Sequence, residues 1–191
     1  MVRNIVWDIQ CMSPPLVIQY CKKCGKKTEY MSSEQFRVNA QRKYLDIWLI
    51  YKCTKCDTTW NATIYSRIGS KSINKHLLDR FHNNDEALSR EYAMNTGLLQ
   101  QNGVEVQTPI YKILGEDFLA YESVELKIKS DFHFPVKVSV LLREKLKLSQ
   151  SRLISLIDDG IITSAPQQDL RKVRLNDCIT ILFNSTATFN L

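Results

Sequence analysis

Cys21-Lys22-Lys23-Cys24 and Cys53-Thr54-Lys55-Cys56 are the stretches that decide how the first third of this chain folds. Two C-x-x-C pairs supply four thiolates, the ligand set of a closed tetrahedral zinc site with Zn–S near ~2.3 Å. The two-residue gap lets both sulfurs of one tight turn face a single ion. Gly25 after the first pair and Asp57 after the second let each turn leave without a steric clash. Twenty-eight residues separate Cys24 from Cys53, longer than the common finger spacing and enough for one hairpin. The spacing therefore predicts a zinc ribbon with one structural Zn²⁺ held by Cys21, Cys24, Cys53 and Cys56. An iron–sulfur site draws on the same four thiolates, and spacing leaves that alternative open. A thioredoxin-like redox site needs one such pair beside a βαβ pattern. Disulfides belong to exported chains, and residues 1–12 show no apolar run of the secretory kind. A four-cysteine site has no open coordination position, so the ion is expected to serve folding rather than chemistry. Structural zinc is worth on the order of 10–16 kcal/mol in finger peptides.

Outward from the cysteines, residues 16–20 read as a strand entering Cys21. Residues 35–39 and 44–52 read as a hairpin with a polar tip at 39–43, and 58–66 as a third strand. The run Leu45 to Tyr51 is apolar almost without alternation, the mark of a strand covered on both faces. Its cover is either the helical segment 72–100 of this chain or another protein chain. After Gly69, Ser72 reads as the cap of a helix ending near Phe81, and Asp85 as the cap of one running to Gly97 or Leu99. Residues 101–118 are turn-rich, and 120–129 alternate as a strand. From Pro135 the pattern is helical, with Leu142 and Leu146 one turn apart. Ser149 then caps a second helix with Leu153, Leu156 and Ile157 inward and Gly160 as its stop. Residues 161–163, 170–173 and 179–183 are strand-like. The expected fold is α+β in three parts: a zinc-ribbon domain of antiparallel β at 1–69, a helical connector at 70–118, and a two-helix, small-sheet module at 119–191.

Of the 191 residues, 44% are hydrophobic and 24% charged, which suits a globular chain and excludes a disordered one. The longest apolar run is five residues, so no membrane span is expected and the cytoplasm is the expected compartment. The net charge of +6 is uneven: residues 1–68 hold 11 Lys/Arg against 5 Asp/Glu, residues 69–130 hold 7 against 9, and residues 131–191 hold 8 against 6. Cations clustered in this way raise the potential toward phosphate, although solvated surface charge gives the same count. No catalytic residue is recognisable. Asp158-Asp159 sits where a helix ends and reads as solvated surface; His76, His82 and His133 read as surface or core-edge; Cys11 and Cys178 read as buried thiols.

The stretch Ser33-Glu34-Gln35-Phe36-Arg37-Val38-Asn39-Ala40, followed by Lys43 through Asn61 with its second cysteine pair, closely resembles the bacterial family known as domain of unknown function 1062. The resemblance takes in nearly the whole chain and all four cysteines, and implies a bacterial protein that begins with a zinc ribbon. The run Leu146 to Ile162, with Asn176 to Ile181, is similar to the RNA-binding module of ribosomal small-subunit protein four. In that module two helices and a hairpin present cations to structured RNA. The likeness puts Arg152 at its basic helix position and Arg171, Lys172 and Arg174 near its basic hairpin, while Gln150 stands where an Arg is usual. Lys22 and Lys23 on the first knuckle add further phosphate contacts. The expected function is a non-enzymatic RNA binder; the alternative is a protein-interaction adaptor with a structural zinc site.

Overall fold

From Tyr44 to Cys53 every second residue is buried, with Leu45, Ile47, Leu49, Tyr51 and Cys53 facing one side. That period of two is the signature of a strand with one fully covered face. A computed structural model of the chain describes residues 2–130 and 136–184. The elements run β1 (Arg3–Cys11), β2 (Val17–Cys21), β3 (Lys26–Gln41), β4 (Tyr44–Cys53), β5 (Thr59–Gly69), α1 (Lys75–His82), α2 (Glu86–Met94) and α3 (Thr96–Gln101). They continue through β6 (Glu105–Val106), β7 (Tyr111–Leu114), β8 (Val124–Lys129), α4 (Val138–Leu146), α5 (Gln150–Asp158), β9 (Ile162–Ala165) and β10 (Cys178–Phe183). Among the described residues the architecture is α+β, with five helices and two five-stranded sheets.

The chain divides into two compact units. Ser13–Ile110 form an inserted unit; the chain up to Met12 and from Tyr111 onward forms a split unit around it in sequence. This differs from a boundary at 69/70 and another at 118/119. The helical segment is no free-standing connector, because its apolar side chains have no core except the one the strands supply.

The inserted unit carries the sheet β5-β4-β3-β2-β6, antiparallel throughout. One face is roofed by α1–α3: Phe81, Leu88, Ala93 and Leu99 join Ile47, Leu49, Tyr51, Val17 and Phe36 in one cluster. Phe36 meets Phe81 edge to face at 4.8 Å. The Phe36 N–H donates to Asn84 Oδ1 at 2.7 Å, pinning the α1–α2 turn beside the β3 bulge, where Glu34 has φ +60°. Burying a Leu, Ile or Phe is worth roughly 1.5–3 kcal/mol, so this cluster is what holds the helices down. The β4 run is therefore buried on one face, with Trp48 and Ile50 only half-buried on the other.

Helix boundaries follow side-chain caps. Asn74, not Ser72, starts α1 by accepting the His76 N–H at 2.8 Å. Asp85 starts α2 by accepting the Leu88 N–H, as the sequence suggests. The second helix stops at Met94 because Asn95 turns to accept the Leu98 N–H and opens α3. Short polar side chains bonding to nearby backbone compete with helix continuation, and here they win.

In the split unit the sheet order is β7-β1-β8-β10-β9. β1 belongs here and not with the cysteine strands. It lies parallel to β8 and antiparallel to β7, with Ile5, Trp7, Ile9 and Cys11 buried beside Val124, Leu126 and Ile128. Helices α4 and α5 bury Val138, Leu141, Leu142, Leu153 and Leu156. Residues 170–173 are not a strand. The Asp169 carboxylate accepts the Arg171 N–H at 3.1 Å, and its carbonyl accepts from Lys172 and Val173, which closes a local turn instead. Cys178 is exposed, contrary to its apolar sequence neighbours, because it opens β10 on the outward side. Pro135 and His133 lie outside the described residues.

Candidate metal centre

Cys21 ends β2 and Cys53 ends β4, while Cys24 and Cys56 sit on the turns that follow. The two turns have the same geometry. The Gly25 N–H donates to the Cys21 carbonyl at 2.8 Å, and the Asp57 N–H to the Cys53 carbonyl at 3.0 Å. Gly25 and Asp57 both take left-handed backbone angles, φ +69° and +59°. A left-handed residue just after the second cysteine folds each loop back so that its two sulfurs converge. The register Tyr30↔Cys53 and Cys21↔Lys26 then brings the two loops to one end of the sheet.

All four Sγ atoms lie within 4.8 Å of one another. Cys21 Sγ is 3.4 Å from Cys56 Sγ, and Cys24 Sγ is 4.0 Å from Cys53 Sγ. A regular tetrahedron with ~2.3 Å metal–sulfur bonds has sulfur–sulfur edges of about 3.8 Å, so these separations bracket what one ion requires. Cys21 and Cys53 are buried and Cys24 and Cys56 half-buried. The sequence-derived ligand set is thus brought together, and these four thiols are able to hold a metal ion.

The surroundings favour thiolate at two of the four sulfurs. A hydrogen bond from Tyr30 draws the Cys21 thiol down to about 6 against the opposing effect of burial. The Thr28 hydroxyl, 3.3 Å from Cys53 Sγ, lowers that thiol as well. Cys24 moves the other way, to about 12, chiefly through its hydrogen bond with Cys56. Burial raises the Tyr30 phenol, which keeps it a donor. Cys56 Sγ also lies 3.2 Å from Thr58 Oγ1. Groups that bond to ligand atoms orient them and tune their basicity. Thr28, Tyr30 and Thr58 were not legible as parts of the site; the only available signal was nearness to a cysteine, Thr28 and Tyr30 standing on β3 a few residues after Cys24 and Thr58 two residues after Cys56, just before β5.

The cations expected to meet RNA divide between the units. Lys22 and Lys23 are exposed on the first knuckle. Arg152, Arg171, Lys172 and Arg174 are exposed in the split unit. The Ser149 side chain there accepts the Arg152 backbone N–H at 3.1 Å. Arg171 is committed to acids, 3.0 Å from Asp158 and 2.9 Å from Asp169, and Lys172 approaches Asp169 at 3.8 Å. Asp158 therefore serves an ion pair.

The fold and the thiol cluster define the class: a two-unit α+β protein with a four-cysteine centre able to bind a metal. A family model described as "Protein of unknown function (DUF1062)" matches residues 38–168, and the chain belongs to that family. The match starts within β3, so it is narrower than the whole chain: it holds Cys53 and Cys56 and begins after Cys21 and Cys24. No curated protein matches the chain, and no solved structure does. No helix among the described residues is long and apolar enough to cross a membrane.

Proposed function

We propose that the protein is a non-enzymatic RNA binder whose inserted unit is a zinc ribbon held by one structural Zn²⁺ on Cys21, Cys24, Cys53 and Cys56. A closed thiolate set leaves no position for substrate, so the ion contributes folding energy and fixes the two lysine-bearing loops. The observation that carries the RNA reading is where the charge falls. Residues 13–74, which carry β2 to β5 and both knuckles, hold 11 Lys/Arg against 4 Asp/Glu, and β6 adds one acid, Glu105. The helices roofing the opposite face, residues 75–101, hold 3 against 4. A unit with cations on its strand side and neutrality on its roof presents a positive surface to a polyphosphate.

The test is a low-salt titration of zinc-loaded protein against a hairpin RNA and a single-stranded RNA. If about four phosphates are neutralised, log affinity falls with log salt at a slope on the order of −3. Absence of binding to both RNAs at micromolar protein overturns the reading and leaves a protein-interaction adaptor.

A further inference from the structure

The sheet of the inserted unit has a second face. Helices α1–α3 pack against Ile47, Leu49 and Tyr51, which leaves Tyr44, Asp46, Trp48, Ile50 and Lys52 on the other side of the strand. Register places Arg37 opposite Trp48 and Gln41 opposite Tyr44 on β3, with Thr63 beside Trp48 on β5. At the hairpin end this face forms a groove of about 960 Å³ that includes Arg42, Lys43, Tyr44, Asp46, Trp48 and Arg67. Tyr44 is 47% exposed, with the Arg67 guanidinium 5.4 Å from its ring centre. Asp46 is the groove's single acid among these six, and it is occupied in accepting the Arg67 backbone N–H at 2.8 Å.

We infer that this groove is the site at which the protein takes an unpaired segment of RNA, an inference that rests on the RNA-binding reading above. Two aromatic side chains standing on a sheet between exposed guanidinium and ammonium groups match the two demands of a single strand. Bases unstack from one another and need flat apolar partners, which Trp48 and Tyr44 offer; phosphates need cations around them, which Arg37, Arg42, Lys43 and Arg67 offer. A duplex, with its bases hidden, would use the cations and leave the rings idle. An apolar protein partner would have to desolvate four cations to reach the same rings, which charge complementarity disfavours. The arginines of the split unit are poorer candidates for the same role, since Arg171 and Lys172 already face Asp158 and Asp169.

The experiment uses the zinc-loaded full chain and a labelled oligouridylate of about ten nucleotides, a length within the usual span of one single-strand site. The variants are Trp48→Ala, Trp48→Phe and the double substitution Arg42→Ser/Lys43→Ser, each checked by thermal melting. The expected result is a roughly 5- to 100-fold loss for Trp48→Ala and near-wild-type affinity for Trp48→Phe, because a phenyl ring still stacks. The double variant, confined to an exposed turn, should flatten the salt slope by about one. Oligouridylate binding that Trp48→Ala leaves unchanged, in a protein that melts like wild type, overturns the site. Binding of hairpin RNA alone, lost on Arg152→Ala/Arg171→Ala, overturns the site while the RNA reading stands. No RNA binding by wild type overturns both, and self-association abolished by Trp48→Ala in that case assigns the face to a protein contact.

Discussion

Asn102 pairs with the backbone of Thr63 as a strand would. Its Oδ1 accepts the Thr63 N–H at 2.7 Å and its Nδ2 donates to the Thr63 carbonyl at 3.0 Å. Thr63 lies in β5, the edge of the sheet, so one side-chain amide supplies the partner that an edge residue otherwise lacks. The same Nδ2 donates to the Leu98 carbonyl at 2.9 Å, and Asn102 thus ties the end of α3 to the sheet.

Replacing Asn102 with Ala should destabilise the inserted unit by about 1–3 kcal/mol, the cost of leaving partly buried backbone groups unpaired. Asn102→Asp should cost at least as much, since its carboxylate would face the Thr63 carbonyl without a proton to offer. Urea unfolding reads the loss as a lower midpoint with an unchanged slope. Amide exchange at Thr63 should accelerate in both variants; retained protection there would show that the pairing is not what holds α3 in place.

Metal removal should act on one unit. Cys53→Ser takes away one ligand of a set with no spare, and a strong chelator takes away the ion itself; in either case the two knuckle loops lose what the proposed ion fixes together. Elemental analysis of the wild type should give one metal ion per chain, zinc by this proposal and iron by the alternative that the same thiolates permit. On chelation, the amides of β2 to β5 should lose protection while those around Trp7 in β1 keep it. Identical melting of the chelated and loaded forms would refute a structural ion.

The gathering of the four cysteines was legible because C-x-x-C is a local pattern whose chemistry needs no tertiary information. The strands between them were legible for the same reason: β-branched and aromatic residues between turn residues. What could not be read was which sheet each strand joins. The chain leaves the split unit at Met12 and returns at Tyr111, so β1 pairs with residues a hundred or more positions away. Nothing in residues 3–11 separates that outcome from pairing with the nearby β2. The β4 run looked apolar on both sides because Trp48 and Ile50 are hydrophobic; that they are only half-buried depends on which face the helices choose. The exposure of Cys178 depends in the same way on strand register.

Gly115 is a second position where distant chain segments meet. Its φ is +130°, and a Cβ there would stand 2.3 Å from the Val6 carbonyl oxygen and 2.7 Å from Trp7 Cδ1. The neighbouring Glu116 carbonyl accepts the Trp7 indole N–H at 2.9 Å. Gly115→Ala should therefore push apart β1 and the segment after β7, and disturb both the backbone angle and the Trp7 hydrogen bond. A destabilisation of at least about 2 kcal/mol is expected, from strain and overpacking together. Trp7 fluorescence should shift toward that of an exposed indole; an unchanged spectrum and melting point would mean the segment yields without cost.

Asp85 gives a pH dependence whose sign is fixed by its surroundings. Its carboxylate receives the Arg80 guanidinium at 2.9 Å and the Leu88 N–H at 2.8 Å. The Arg80 hydrogen bond is the largest of the influences that hold its pKa below the ordinary carboxylate value, and the Leu88 N–H comes next. A group whose folded pKa is depressed stabilises the protein above its unfolded pKa, near ~3.9 for Asp. That stability is lost as pH falls through the folded value. Arg80 stays charged over the whole range, so it adds no opposing titration. Asp85→Asn is the informative variant, because Asn caps a helix about as well as Asp but carries no charge for Arg80. Near pH 8, well above the carboxyl titration, the wild type should melt slightly higher than Asp85→Asn, as suits a partly exposed ion pair. The margin should shrink as pH falls below about 4 and vanish once the wild-type carboxyl is protonated in both states. Asp117, Glu122 and Asp169 are lowered too, so each variant's own acid profile is composite, and the difference between the two isolates Asp85. A margin that persists unchanged at the acid end would show that the cap, and not the ion pair, accounts for the effect.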